Sequence, residues 1–111
     1  MSMESVSLST VIDEQLAAAG QAGNGRSAQT VHGGHERHLR QTLLALTAGT
    51  GLAEHDSPGE ATLQVLRGRV RLNAGDDSVE GVEGDLLTIP DARHSLDAVE
   101  DSAVLLTVLT R

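Results

Sequence analysis

Few side chains in this sequence can bind metals, hold anions or move protons, and they are unevenly placed. Five histidines stand at positions 32, 35, 38, 55 and 94. Imidazole ligates first-row divalent ions and changes charge near neutral pH. His32, His35 and His38 flank Gly33-Gly34, so they belong to a tight turn. One of them could drop into a neighbouring site, although a wet hairpin accounts for the spacing equally. Arg67, Arg69 and Arg71 alternate with Leu66, Val70 and Leu72, which makes one strand face cationic. Such a face suits a carboxylate or phosphate, or pairs across a sheet with acids. Ser95 follows His94, but neighbouring strand residues point to opposite faces, so the two do not form a nucleophile and base. No G-x-S-x-G is present, and Gly20, Gly23 and Gly25 form a linker after a helix, not a phosphate loop before one.

The elements that position these groups follow from composition and period. The chain has 111 residues, sixteen acids, eight arginines, no lysine and a net charge of −8. One domain is expected. It contains no Cys, Phe, Tyr or Trp, which leaves a core of Leu, Val, Ile and Ala. Thiolate chemistry, disulfides and aromatic stacking of nucleic-acid bases are thereby excluded. The negative charge argues against nucleic acid and anionic membranes as partners. Apolar runs are too short to span a bilayer. The start, Met1 to Ser5, lacks the pattern of a signal peptide, so a cytoplasmic location is expected.

Leu8, Ile12, Leu16 and Ala19 recur at helical spacing, which predicts a helix over Ser9–Ala19 capped by Ser9 or Thr10. Asp13 and Glu14 suit the positive end of its dipole. The spacing from Ser27 onward predicts strands at 28–32, 39–48, 52–55, 61–66, 69–73, 78–82, 86–89, 95–99 and 103–110. Gly- and Asp-rich turns separate them, and no helix-length segment remains, so an all-β sandwich or barrel follows. The apolar run Leu105, Leu106, Val108, Leu109 breaks alternation, as a strand buried on both faces would. Residues 1–26 read as helix and linker, and 27–111 as the β domain.

Two segments resemble the paired motifs of the cupin family. The first motif, G-x5-H-x-H-x3-4-E-x6-G, is matched by Gly49, His55 and Gly68, with Ser57 and Ala61 at the second His and Glu positions. The second, G-x5-P-x-G-x2-H, is matched by Gly84 and Pro90, with Ala92 for Gly and His94 arriving one residue early. Gly59 to Leu72 also looks like the link between two barrel strands in small single-domain cupins. The resemblance implies a double-stranded β-helix (jelly-roll) barrel with one short N-terminal helix, and it covers about Gln41 to Thr110.

Cupins hold a metal with three histidines and a glutamate on inward positions, and this chain keeps His55 and His94 of the four. Residues two apart on a strand share a face, so Ser57 joins His55 inside, and Ala61 and Leu63 line the next strand. Arg93, beside His94, either clamps a carboxylate or turns to water. The expected pocket is therefore His55, Ser57, Ala61, Leu63, Arg93 and His94. A divalent transition metal (Zn, Ni, Fe or Mn) on His55 and His94 would need Glu60, His35 or His38 as a third ligand. Glu60 would face inward only if a bulge near Pro58-Gly59 reversed its side. The leading expectation is a small-molecule-binding barrel engaged in sensing or sequestration. The alternative is a metal-dependent oxygenase, isomerase or lyase acting on a small polar substrate. A core without aromatic rings gains from burial between subunits, so a homodimer is expected.

Overall fold

The computed structural model describes residues 3–57 and 59–110. Pro58, the proposed source of a bulge, lies outside the described residues, as do Met1, Ser2 and Arg111. One helix, α1 (Leu8–Gln21), precedes nine strands: β1 (Arg26–His32), β2 (Leu39–Leu46), β3 (Gly51–His55), β4 (Glu60–Arg67), β5 (Arg69–Ala74), β6 (Asp77–Val82), β7 (Leu86–Thr88), β8 (His94–Ala98) and β9 (Ser102–Leu109). All pairings are antiparallel. They build a five-stranded sheet, β1-β2-β9-β4-β7, and a four-stranded sheet, β3-β8-β5-β6. This is a jelly-roll order with β1 added at one edge. Among the described residues no ladder joins the two sheets, so the expected closed barrel is realised as two facing sheets.

Alternation decides what lies between them. Ala61, Leu63 and Val65 of β4 meet Leu46, Val104 and Val108 from the same sheet, and Val70, Leu72, Leu96 and Ala98 from the other. β9 is buried on both faces because α1 covers its outer side. Val11 and Ile12 of the helix pack on Leu43, Ala103 and Leu105. The helix therefore shields its own sheet. Its cap is Ser7, whose hydroxyl accepts the Thr10 amide at 3.3 Å, not Ser9 or Thr10. No acid lies in the first turn, because the helix begins at Leu8 and Asp13 and Glu14 come a full turn later. No helix among the described residues is long and apolar enough to cross a membrane.

Gly68 turns the chain from one sheet to the other at φ +86°. A Cβ there would collide with the Asp101 carbonyl and with Ser102. Ser102 is fully buried, and its hydroxyl accepts the Arg69 amide at 3.0 Å and faces the Arg69 and Glu100 carbonyls. This crossing fixes β5 against the start of β9.

Candidate functional site

His55 and His94 meet across β3 and β8, their ring centroids 4.4 Å apart and their planes inclined at 61°. Register explains how. Leu52 pairs with Leu96, and His55 pairs with His94, so β3 spends three steps where β8 spends two. The extra residue is a β-bulge, which flips the side-chain parity of everything beyond it. Without it Glu54 would oppose His94, and His55 would face away. His94 is 4% exposed, whereas His55 stays open to solvent at the strand end.

Each ring is fixed by its own strand. His94 Nδ1 lies 2.9 Å from the Ala92 carbonyl, and His55 Nδ1 lies 2.9 Å from the Ala53 carbonyl. A carbonyl only accepts, so each Nδ1 carries the proton, and in the neutral ring Nε2 holds the free lone pair. Neither Nε2 has a hydrogen-bond partner among the described residues. The pair therefore carries two uncommitted acceptors on rings 4.4 Å apart.

The remaining expected pocket residues are placed differently. The Ser57 hydroxyl donates to the Gly59 carbonyl at 2.7 Å and is occupied within its own turn. Ala61 and Leu63 are buried in the core, 8% and 2% exposed. Arg93 is held outside: its Nε lies 3.0 Å from Glu54 and its Nη1 3.6 Å from Asp56. The Glu54 carboxylate, followed by Asp56, raises the Arg93 pKa further above its ordinary value. A clamp pointing inward is not what this side chain forms.

None of the three proposed third ligands joins the imidazoles. The ladder of β4 runs unbroken from Glu60↔Leu109 to Val65↔Val104. Glu60 therefore stays on the outer face with Thr62 and Gln64, opposite Ala61 and Leu63. His38 Nδ1 lies 3.1 Å from the Thr110 carbonyl. His35 lines a separate cavity with Arg40. Among the described residues no group of three or more His, Asp or Glu side chains could hold a metal ion. Two imidazoles are fewer protein ligands than resident sites carry. The donor set does not fit a tightly held ion.

The arginine stripe is also spoken for. Arg69 and Arg71 both reach Glu80, at 3.2 and 3.1 Å, and Arg69 also reaches Glu100. Arg67 belongs to the other sheet and pairs with Asp13 of α1 at 2.9 Å. A cavity of about 890 Å³ opens against Glu60, Ala61, Thr62, Thr88, Ile89 and Asp91, with neither His55 nor His94 in its lining. Thr62 opposes both Thr88 and Thr107 on the outer sheet face. That hollow takes in the buried Ala61 and Ile89 as well as the outer Thr62 and Thr88, and the imidazole pair lies outside its lining.

No family model matches the sequence, and no curated protein does. Solved structures do. A conserved protein of unknown function from Streptococcus pyogenes is 25% identical, with a TM-score of 0.72 over 81% of this chain and 78% of that one. An RmlC-like cupin protein from Desulfovibrio desulfuricans is 26% identical, with a TM-score of 0.66 over 76% and 81%. A salicylate 1,2-dioxygenase from Pseudaminobacter salicylatoxidans is 19% identical, with a TM-score of 0.74 over 89% of this chain but 33% of its own. Further cupin-superfamily structures match at similar quality. The structure matches the cupin superfamily.

Proposed function

We propose that this is a cupin-type domain that binds a small polar molecule at His55 and His94 without turning it over. The observation that carries the reading is the pair of imidazoles 4.4 Å apart, each Nδ1–H committed to a backbone carbonyl. Two free Nε2 acceptors favour a ligand bearing hydroxyl or N–H donors. A hydroxyl turned back on Gly59 and the Ala61 methyl occupy the positions where the motif would supply further ligands. Binding without chemistry is the use that such a reduced set supports. The enzyme reading requires a third ligand, for which no described residue is in place.

Calorimetric titration of the metal-stripped protein with Zn²⁺, Ni²⁺, Fe²⁺ and Mn²⁺ tests the reading. Weak or unsaturable binding is expected. Sub-micromolar affinity that disappears in both His55→Ala and His94→Ala would overturn the metal-free version.

The same reading takes the domain as a homodimer. Leu39, Leu86 and Leu109 are 44%, 64% and 44% exposed on the outer sheet face that α1 leaves bare. Light scattering at micromolar concentration is expected to give twice the chain mass, and the mass of a single chain would refute it.

A further inference from the structure

A second cavity, about 140 Å³, sits at the β1–β2 hairpin against Thr30, Gly34, His35, Arg40 and Thr42. It shares no residue with the imidazole pair. Thr30 and Thr42 oppose one another across the two strands, and Thr42 opposes Leu106, which packs against the core. Both hydroxyls therefore stand on the inner side of the sheet. Both line the cavity, and among the described residues neither hydroxyl has a side-chain hydrogen-bond partner, so each has a donor to give.

Arg40 is half-buried at the same place. Its Nε donates to the Arg37 carbonyl at 2.9 Å, and its Nη2 to the His35 carbonyl at 3.2 Å. These bonds hold the guanidinium plane and leave Nη1 uncommitted. The loop that supplies them doubles back through Gly33, at φ +85°, where a Cβ would strike the Leu39 carbonyl. Among the described residues Arg67, Arg69, Arg71 and Arg93 are ion-paired with acids, and Arg40 is not.

The surrounding charge agrees. The chain carries −8, yet from Gln15 to Ala53 the only acid is Glu36. That stretch contains Arg26, Arg37, Arg40 and three of the five histidines. That stretch of sequence carries more basic than acidic side chains, and it includes the oriented fork and both hydroxyls. Guanidinium forks match the planar geometry of carboxylate and phosphate oxygens. The volume corresponds to roughly four or five waters, enough for one such group.

We propose that Arg40, Thr30 and Thr42 form a binding site for a small oxyanion, a carboxylate or a phosphate group. The inference is independent of any ligand at His55 and His94. Its test is titration of the full chain with inorganic phosphate and, separately, with acetate, at constant chloride ionic strength, followed by amide and imidazole NMR shifts.

One of the two anions is expected to saturate the amides of Thr30, Gly34 and Thr42 while the His55 and His94 rings stay still. Saturation by phosphate alone would name a phosphorylated ligand, and saturation by acetate alone a carboxylate. Arg40→Gln is expected to weaken that anion by about tenfold, the scale of one charge-assisted hydrogen bond. Arg40→Lys, which keeps charge and loses the fork, is expected to recover only part. Where Arg40→Gln fails to fold, Thr42→Val carries the test, with a smaller loss expected. Failure of both anions to saturate, unchanged affinity in the folded variant, or shifts centred on His55 and His94 would each overturn the proposal.

Discussion

His55 faces its partner only because β3 holds one residue more than β8 over the same span. Nothing in Leu52-Ala53-Glu54 announces a bulge, since no glycine or proline marks it. The motif spacing made the two histidines legible as a pair, but the backbone irregularity that aims one of them was not. Deleting Ala53 should remove the bulge and leave two regular steps from Leu52 to His55, with His55 still opposite His94. The expected result is an imidazole–imidazole NOE that survives the deletion, with His94 still buried; its loss would show that the bulge itself aims His55. Ser102 was likewise outside the strand predicted from sequence. Its hydroxyl binds the amide and carbonyl of Arg69 where the chain crosses between sheets. Ser102→Ala leaves a buried amide unpartnered and should cost about 1–3 kcal/mol by urea denaturation. Arg40 carries no motif in the sequence, because its standing rests on bonds to the Arg37 and His35 carbonyls in place of an ion pair, which is a fact of space.

At the level of elements, all nine strands were legible to within about two residues at each end. Apolar alternation and Gly-rich turns are local signals, and here tertiary packing agrees with them. The helix cap was misplaced because Ser7, Ser9 and Thr10 are all good caps, and only the reach of one oxygen to an amide two or three residues on decides among them. Ser7→Ala should therefore cost about 1 kcal/mol of stability, and Ser9→Ala clearly less. The closer docking residue is Leu43, fully buried between the five-stranded sheet and α1. Leu43→Ala should cost about 2–5 kcal/mol, since neither the sheet nor the helix can collapse freely into the space. Thermal or urea unfolding checks both. What stayed illegible at this scale was closure: alternation names the faces of a strand but not whether two sheets join at their edges.

For the whole molecule, acid response follows from the ion pairs on the four-stranded sheet. Hydrogen bonds from Arg71, and next from Arg69, lower the pKa of Glu80 below its ordinary 4.5. A carboxylate held down in this way stabilises the fold above that value, and its contribution is lost as pH falls through the lowered one. Glu80→Gln should therefore flatten the decline in stability below about pH 4.5, by a small amount because the group is solvent-exposed. Equilibrium unfolding at stepped pH measures it. The placement of β9 has a wider consequence. It lies between β2 and β4, whose residues precede it by some sixty and forty positions. A nascent chain must therefore keep both neighbours waiting, one edge of each unmatched, until residue 109 has emerged. Assembly dominated by such distant pairings is slow and sensitive to interruption. Truncation within β9 should therefore abolish folding outright, a loss that circular dichroism and urea unfolding of the shortened chain would register.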